Sequence, residues 1–405
     1  MKSPIVHSAM TLSDNVIAYF QPILSADSHA VYAYEVLGRF VDNDGAVKSL
    51  GDFFSDVNTT DEDALKIDRL VRRYAMRKYA EENRSENLFI NIRLAWLAQY
   101  VDNPEMEPTI RWMREFGITP DRIVIEITEE EFNTSDALIS VISRYKNAGY
   151  RIALDDYGKN ASNIDRLAIL KPDIIKINGE YIQKSEKSYF YREYLRAVTF
   201  FAETLGVEVL YEGIETQRQL DICISSKGRF YQGFLIALPQ ESMSNAVVNY
   251  QVFIDSVGDA YKALHKKNIE ADALRNSLDA KLERFLLENP FCQAEVDTAY
   301  LKKLCQELPE VMRIYLCNKY GEQISYNFER QSEDIVCHDY RGKNWSWRRY
   351  FHKTLEAFGQ GKKTFLSKAY RDFTTKERVF TYSHALSDDV FLFADIIRVP
   401  LPPVM

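Results

Sequence analysis

The chain has 405 residues, 46% hydrophobic and 27% charged, a mix close to that of folded globular proteins and far from that of disordered ones. At about 150 residues per domain, this length predicts two or three domains. Lys and Arg number 51 against 59 Asp and Glu, a formal charge of −8, which argues against a surface that coats a nucleic-acid polymer but not against a small anion whose field is reversed by bound cations or one Arg.

The opening MKSPIVHSAMTLSD lacks an apolar signal core, and no run approaches the roughly 18 apolar residues of a membrane span, so a cytoplasmic protein without membrane insertion is the default expectation. From residue 17 to about 240, short β-type runs alternate with helix-period stretches. The strands are predicted at 17–24, 31–38, 87–92, 123–127, 151–155, 173–177, 207–211 and 230–236. Several are near-continuous apolar runs, the pattern of parallel strands covered on both faces. The spacing of Leu65, Ile67, Leu70, Val71 and Tyr74 predicts a helix after Asp61, and that of Leu138, Val141, Ile142 and Tyr145 a helix after Thr134. Gly149 and Gly206 stand where helices would stop in the left-handed conformation. This α/β alternation fits a TIM-type barrel. The first two runs, joined only by SADSHA, are too close for a crossover helix and predict a hairpin, so the barrel starts irregularly.

After Pro239 apolar residues fall at heptad spacing: Val247, Tyr250, Ile254, Val257, Tyr261, Leu264, then Ala271, Leu278, Leu282 and Phe285. This predicts a long connecting helix, either a dimeric coiled coil or a helix packed on its own domain. Beyond residue 291 the pattern changes. MRIYLCNKYGEQISYNF predicts two strands, WSWRRYFHKTLEAFGQGK a helix, and residues 364–397 three strands, an α+β domain. Trp345 and Trp347 are expected in its core. The domains are therefore expected at 1–240, 241–290 and 291–405.

Cys223, Cys292, Cys305, Cys317 and Cys337 are odd in number and show no CxxC or zinc spacing, which predicts reduced, mostly buried thiols. Only His7 and His29 precede residue 250, so a metal site there must rely on oxygen ligands, pointing to Mg²⁺ or Mn²⁺ over zinc.

In an α/β barrel the chemistry sits at the C-terminal ends of the strands. Here those ends carry Gln21, Glu35, Asn91, Glu126, Asp155 with Asp156, Lys176, Glu212 and Gln232. Singly, each acid reads as a cap or a surface charge. Together, carboxylates from several strands would repel one another unless divalent cations neutralise them, which suggests a two-metal site for phosphodiester hydrolysis. Lys176 would hold the attacking water or stabilise transition-state charge, or else serve as a buried ion-pair partner of the acids.

YQPI (19–22), EVLGR (35–39), FINI (89–92), EITE (126–129), DDYG (155–158), KIN (176–178), YEGIE (211–215) and YQGF (231–234) together resemble the ordered motif series of the EAL family. The resemblance implies a cyclic di-GMP phosphodiesterase on a modified (βα)₈ barrel whose first strand is antiparallel. It implies that Glu35, Asn91, Glu126 and Asp155 hold one metal, with Asp155 shared and Asp156 serving a second. Lys176 would orient the water, and Glu212 would be a ligand or general base. Gln21, Leu37, Arg39, Gln232 and Pro239 would contact the dinucleotide, with Glu129 and Glu215 supporting the site. Active members usually continue DFGTGYSSL where this chain reads DYGKNASNIDRL (156–167). That departure implies an alternative, a weak or inactive receptor for cyclic di-GMP that signals through the C-terminal domain. Residues 291–405 resemble the PAS-like or Cache-like domain of one EAL subgroup, implying a homodimer regulated by an unidentified ligand or protein.

Overall fold

The computed structural model describes residues 15–93, 96–97, 99–100, 103, 106–128, 136–158, 164–292, 298–331 and 334–397. The chain divides near Lys262 into two compact units. In the first, β1 (Val16–Ser25) and β2 (Val31–Val41) form an antiparallel hairpin that sets Gln21 opposite Glu35. The short β3 (Val47–Ser49) pairs with the end of β2. From β2 the sheet continues in parallel through β4 (Asn87–Asn91), β5 (Ile123–Thr128), β6 (Arg151–Tyr157), β7 (Ile174–Ile177), β8 (Glu208–Tyr211) and β9 (Phe230–Tyr231). β9 then pairs antiparallel with β1 and closes the ring. The result is a TIM-type barrel with an antiparallel first strand.

The surrounding helices are α1 (Gly51–Ser55), α2 (Asp61–Glu81), α3 (Pro108–Phe116), α4 (Asp136–Asn147), α5 (Ile164–Leu170), α6 (Gly179–Lys187), α7 (Tyr189–Thr204) and α8 (Gln217–Ser225). α2 starts where Thr60 accepts a hydrogen bond from the Asp63 amide, and three acids in its first turn favour the positive end of the helix dipole. Val141, Ile142 and Tyr145 are buried on α4, while Thr134 lies outside the described residues. Gly149 and Gly206 both take positive φ after their helices.

Strand periodicity divides the barrel into two cores. Side chains such as Leu88, Ile90, Ile125 and Ile175 face outward and pack with Ile67, Met76, Leu195 and Leu220 of the helices. On alternate positions Ile23, Ala33, Phe89, Val124, Ala153, Ile174, Leu210 and Phe230 face inward and form one apolar layer, each 0% exposed. The predicted last strand is too long, because only Phe230–Tyr231 pair. The Ile236 and Ala237 amides donate to the Gly233 carbonyl at 3.0 and 2.9 Å and turn the chain out of the sheet.

α9 (Tyr250–Glu288) is a single helix of 39 residues. Its Phe253 belongs to the core of the first unit, and Leu278, Leu282 and Phe285 belong to the core of the second. Tyr250, Ile254, Tyr261 and Leu264 are exposed, and Val247 lies before the helix begins. Among the described residues no helix is long and apolar enough to cross a membrane.

The second unit adds α10 (Thr298–Glu307) and an antiparallel sheet of β10 (Val311–Asn318), β11 (Asn327–Gln331), β12 (Asp334–His338), β13 (Thr364–Leu366), β14 (Tyr370–Arg371), β15 (Arg378–Ala385) and β16 (Val390–Ile397). α11 (Arg349–Gly359) follows the tryptophan-rich segment. One sheet face packs Ile314, Leu316, Leu392 and Ile396 on α9 and α10, and the other packs Tyr315 and Phe393 on Tyr350 and Phe351 of α11. Trp345 is half-buried and its Nε1 donates to Gln323 Oε1 at 2.8 Å, but Trp347 is not a core residue, since it is 60% exposed. Its neighbours explain this: the ring stacks on Phe373, itself at the surface. Cys223, Cys305 and Cys317 are buried, whereas Cys292 and Cys337 are exposed.

Candidate active site

Each interior apolar residue of the barrel has a polar residue two positions toward the mouth: Ala33 and Glu35, Phe89 and Asn91, Val124 and Glu126, Ala153 and Asp155, Ile174 and Lys176, Leu210 and Glu212, Phe230 and Gln232. On the antiparallel β1 the order reverses to Ile23 and Gln21. Because side chains alternate along a strand, i and i+2 share a face. The polar residues therefore form a second layer on the apolar one.

Lys176 lies at the centre of this layer and is fully buried. Its Nζ is 2.6 Å from Glu126 Oε1, 3.1 Å from Asp155 Oδ1, and 3.2 Å from Glu35 Oε1 and from Glu212 Oε2. Gln232 donates to Glu35 Oε2 at 2.7 Å and to Gln21 Oε1 at 3.3 Å, and Gln21 donates to the Ala237 carbonyl at 3.1 Å. Asn91 donates to Glu126 Oε2 at 2.8 Å. These bonds fix the amides around the acids.

The approach of β7 and β8 depends on two glycines. A Cβ on Gly213, which has φ of +68°, would lie 3.1 Å from the Gly179 Cα. Gly213 follows Glu212, and Gly179 follows the Lys176-Ile177-Asn178 segment, so this contact brings acid and ammonium together.

Asp156 also has positive φ, 55°, an uncommon conformation for a residue with a side chain. Its amide donates to Asp155 Oδ1 at 2.9 Å, and its carboxylate accepts a hydrogen bond from Asn178 Nδ2. The Asn178 Oδ1 accepts from the Glu180 amide at 2.8 Å and caps α6. Asn178 was absent from the site expected from sequence, although its position directly before a helix marks it as a cap.

Burial pushes the Glu126 carboxyl well above the usual range, and the nearby Glu35 adds to this. Burial likewise raises Asp155, and it raises Glu212 to about 8, with Lys176 opposing both. Burial alone would lower Lys176, but Asp155, Glu126, Glu212 and Glu35 together hold it well above its ordinary value. One ammonium thus does not compensate the acids of this layer.

That charge excess and an all-oxygen donor set suit a hard divalent cation. Glu126 Oε1 is buried with only the Lys176 ammonium beside it, and a carboxylate oxygen with two lone pairs can serve both that ammonium and such an ion. In this conformation the carboxylates converge on Nζ. Among the described residues no three acidic, His or Cys side chains surround a common point at metal-ligand distance.

Beside the layer is a groove of about 510 Å³ lined by Leu37, Arg39, Phe54, Trp96, Asn91 and Glu126. Arg39 is 5.6 Å from the Tyr19 ring centre and donates to the Gly38 carbonyl at 2.9 Å. Trp96, not expected from sequence, lies 5.0 Å below the Arg93 guanidinium. Two expected site residues have backbone surroundings of their own. Pro239 precedes Gln240, whose backbone bridges to Phe20, and the exposed Glu215 uses its amide to donate to Gln219 at 2.7 Å. Glu129 lies outside the described residues.

The family model "EAL domain" matches residues 7–239, and "EAL-domain associated signalling protein domain" matches residues 251–399. The chain is 30% identical over 400 residues to the uncharacterized EAL-domain containing protein YkuI of Bacillus subtilis, covering 96% of this chain and 95% of that protein. The crystal structure of YkuI in complex with substrate c-di-GMP and calcium superposes with a TM-score of 0.89 at 29% identity, covering 99% of this chain and 100% of that one. The cyclic di-GMP phosphodiesterase RocR of Pseudomonas aeruginosa is 25% identical over 229 residues, 55% of this chain and 57% of RocR. With its barrel, its ordered strand-end residues and matches along both units, the chain belongs to the EAL-domain family of cyclic di-GMP phosphodiesterases.

Proposed function

We propose that the chain hydrolyses cyclic di-GMP to linear pGpG at the barrel mouth. The observation that carries this reading is the convergence of four carboxylates, three from strands and Glu212 from just beyond β8, within 3.2 Å of one buried ammonium. The YkuI complex with c-di-GMP and calcium supports the ligand and a divalent ion at a homologous barrel. Glu35, Asn91, Glu126 and Asp155 would hold one ion, with Asp155 shared and Asp156 and Glu212 serving a second, as Mg²⁺ or Mn²⁺. Divalent ions bound there supply an acidified water and offset the phosphate charge.

The chain's own groups then have defined tasks. Lys176 donates a hydrogen bond to the water oxygen and fixes its direction. Glu212 accepts the water proton as general base. The water oxygen forms a new bond to phosphorus, one bridging P–O bond breaks, and the leaving 3′-oxygen takes up a proton. Gln21, Leu37, Arg39 and Gln232 orient the dinucleotide, with Pro239 at the edge of that surface and Glu129 and Glu215 as supports. The exposed seam of Tyr250, Ile254, Tyr261 and Leu264 supports a homodimer, through which the C-terminal unit would regulate the barrel.

A second reading, a receptor that binds without turnover, is favoured by the carboxylates' engagement with Lys176 and by the KNASN segment after Gly158. Incubation with cyclic di-GMP and Mg²⁺ or Mn²⁺ tests both. Linear product is expected; saturable binding with no product would leave the receptor reading, and neither would refute both.

A further inference from the structure

The C-terminal unit holds two largely buried arginines remote in sequence from the barrel motifs. On one sheet face Arg313 is ion-paired with Glu329, Asp372 and Asp395 at 3.5, 3.4 and 3.3 Å. Asp395 also attracts Arg348 from beyond ion-pair distance and accepts a hydrogen bond from the Tyr370 hydroxyl at 3.5 Å. Arg348, 9% exposed, has no carboxylate within ion-pair distance among the described residues and hydrogen-bonds the Tyr370 hydroxyl. Its guanidinium carbon lies 5.4 and 4.9 Å from the ring centres of Tyr350 and Tyr370, and 5.2 and 4.6 Å from those of Trp347 and Phe373.

A buried guanidinium is costly without an anion, and aromatic faces offset only part of that cost. Trp347 and Phe373 are 60% and 63% exposed yet stacked, 5.9 Å apart and 14° from parallel. A stacked aromatic pair at the surface beside a guanidinium with no direct ion pair offers an apolar platform and a planar anion donor together. Arg348 also stands at the N-cap of α11, a helix of 11 residues with no side-chain cap and no acid in its first turn. Its amides add to the positive field.

We propose that Arg348, Trp347 and Phe373 form a binding site for a small carboxylate with an apolar body. The carboxylate pairs with the Arg348 fork and the body lies on the Trp347–Phe373 pair. A dianionic phosphate is disfavoured, because three acids outnumber Arg313 in the same layer. Simple carboxylates and amino acids share the recognised group.

The test uses the full chain, with calorimetry and tryptophan fluorescence, and benzoate, L-phenylalanine and inorganic phosphate as probes. Saturable binding of benzoate or L-phenylalanine, but not phosphate, is expected. Tighter L-phenylalanine binding would support the site and add recognition of the ammonium; equal binding would support it on the carboxylate alone. Arg348→Lys keeps the charge but loses the fork, and should weaken binding about tenfold. Trp347→Ala, which removes an exposed ring, should weaken it several-fold and decides the matter if Arg348→Lys does not fold. No carboxylate binding, binding of phosphate in its place, or affinities unchanged in these variants would overturn the proposal.

Discussion

Lys176 Nζ and Glu126 Oε1 lie 2.6 Å apart at the top of the barrel core, both side chains shielded from solvent. The ammonium is the internal counterion of an acid ring, so its removal should cost more than one contact. Lys176→Met should destabilise the metal-free protein by about 3–5 kcal/mol and abolish turnover. Manganese should restore much of the lost thermal stability but not the activity. Melting curves in chelator and in Mn²⁺ check this.

Asn178 links the start of α6 to the carboxylate of Asp156. Asn178→Ala should cost about 1 kcal/mol as a lost cap, and weaken metal affinity by about 10–100-fold as a lost support of a ligand. Asn178→Asp can still cap the helix but sets a second acid against Asp156. It should therefore recover stability without recovering metal affinity, as read by thermal unfolding and metal titration.

Gly213→Ala combines an unfavourable positive φ with a Cβ against the Gly179 Cα. A loss of about 1–2 kcal/mol is expected from the backbone conformation alone. Displacement of Glu212 should lower kcat more than it raises KM, which steady-state kinetics would separate.

The C-terminal unit should show its own pH dependence. Burial lowers the His384 imidazole below its ordinary value of 6.5, against the pull of Asp279 and Glu283 and with Lys363 acting in the same direction as burial. The unfolded chain therefore binds the proton more readily. This contribution to stability is fully present above pH 6.5 and is lost progressively as pH falls from there through the lower folded-state value. His384→Gln should flatten the difference between unfolding measured at about pH 7.5 and about pH 5.5.

The barrel was legible because inward apolar and polar residues recur two apart on strand after strand, as in Val124 and Glu126. Lys176 as a buried ion-pair partner of the strand-end acids was legible too, but not that its ammonium lies within reach of four of them at once, which only the packed barrel fixes. β12 escaped because DIVCH is half-exposed throughout and carries no alternation. α10 escaped although Leu301, Leu304 and Cys305 have helical spacing, because the segment is short and its polar face dominates. Pro239 and Glu215 entered through motif resemblance alone, and neither belongs to the hydrogen-bonded cluster. Trp347 shows the limit of composition: an aromatic residue predicts burial on average, but its fate depends on what flanks it.

The eight-residue apolar layer below the acids has a kinetic consequence. With every one of its side chains at 0% exposure, the barrel has a sealed floor. Under the proposed hydrolysis, reactant water, dinucleotide and product would share a single doorway, and linear product would have to depart before another cyclic molecule enters. Added pGpG should therefore inhibit competitively, raising apparent KM at constant kcat in initial-rate measurements.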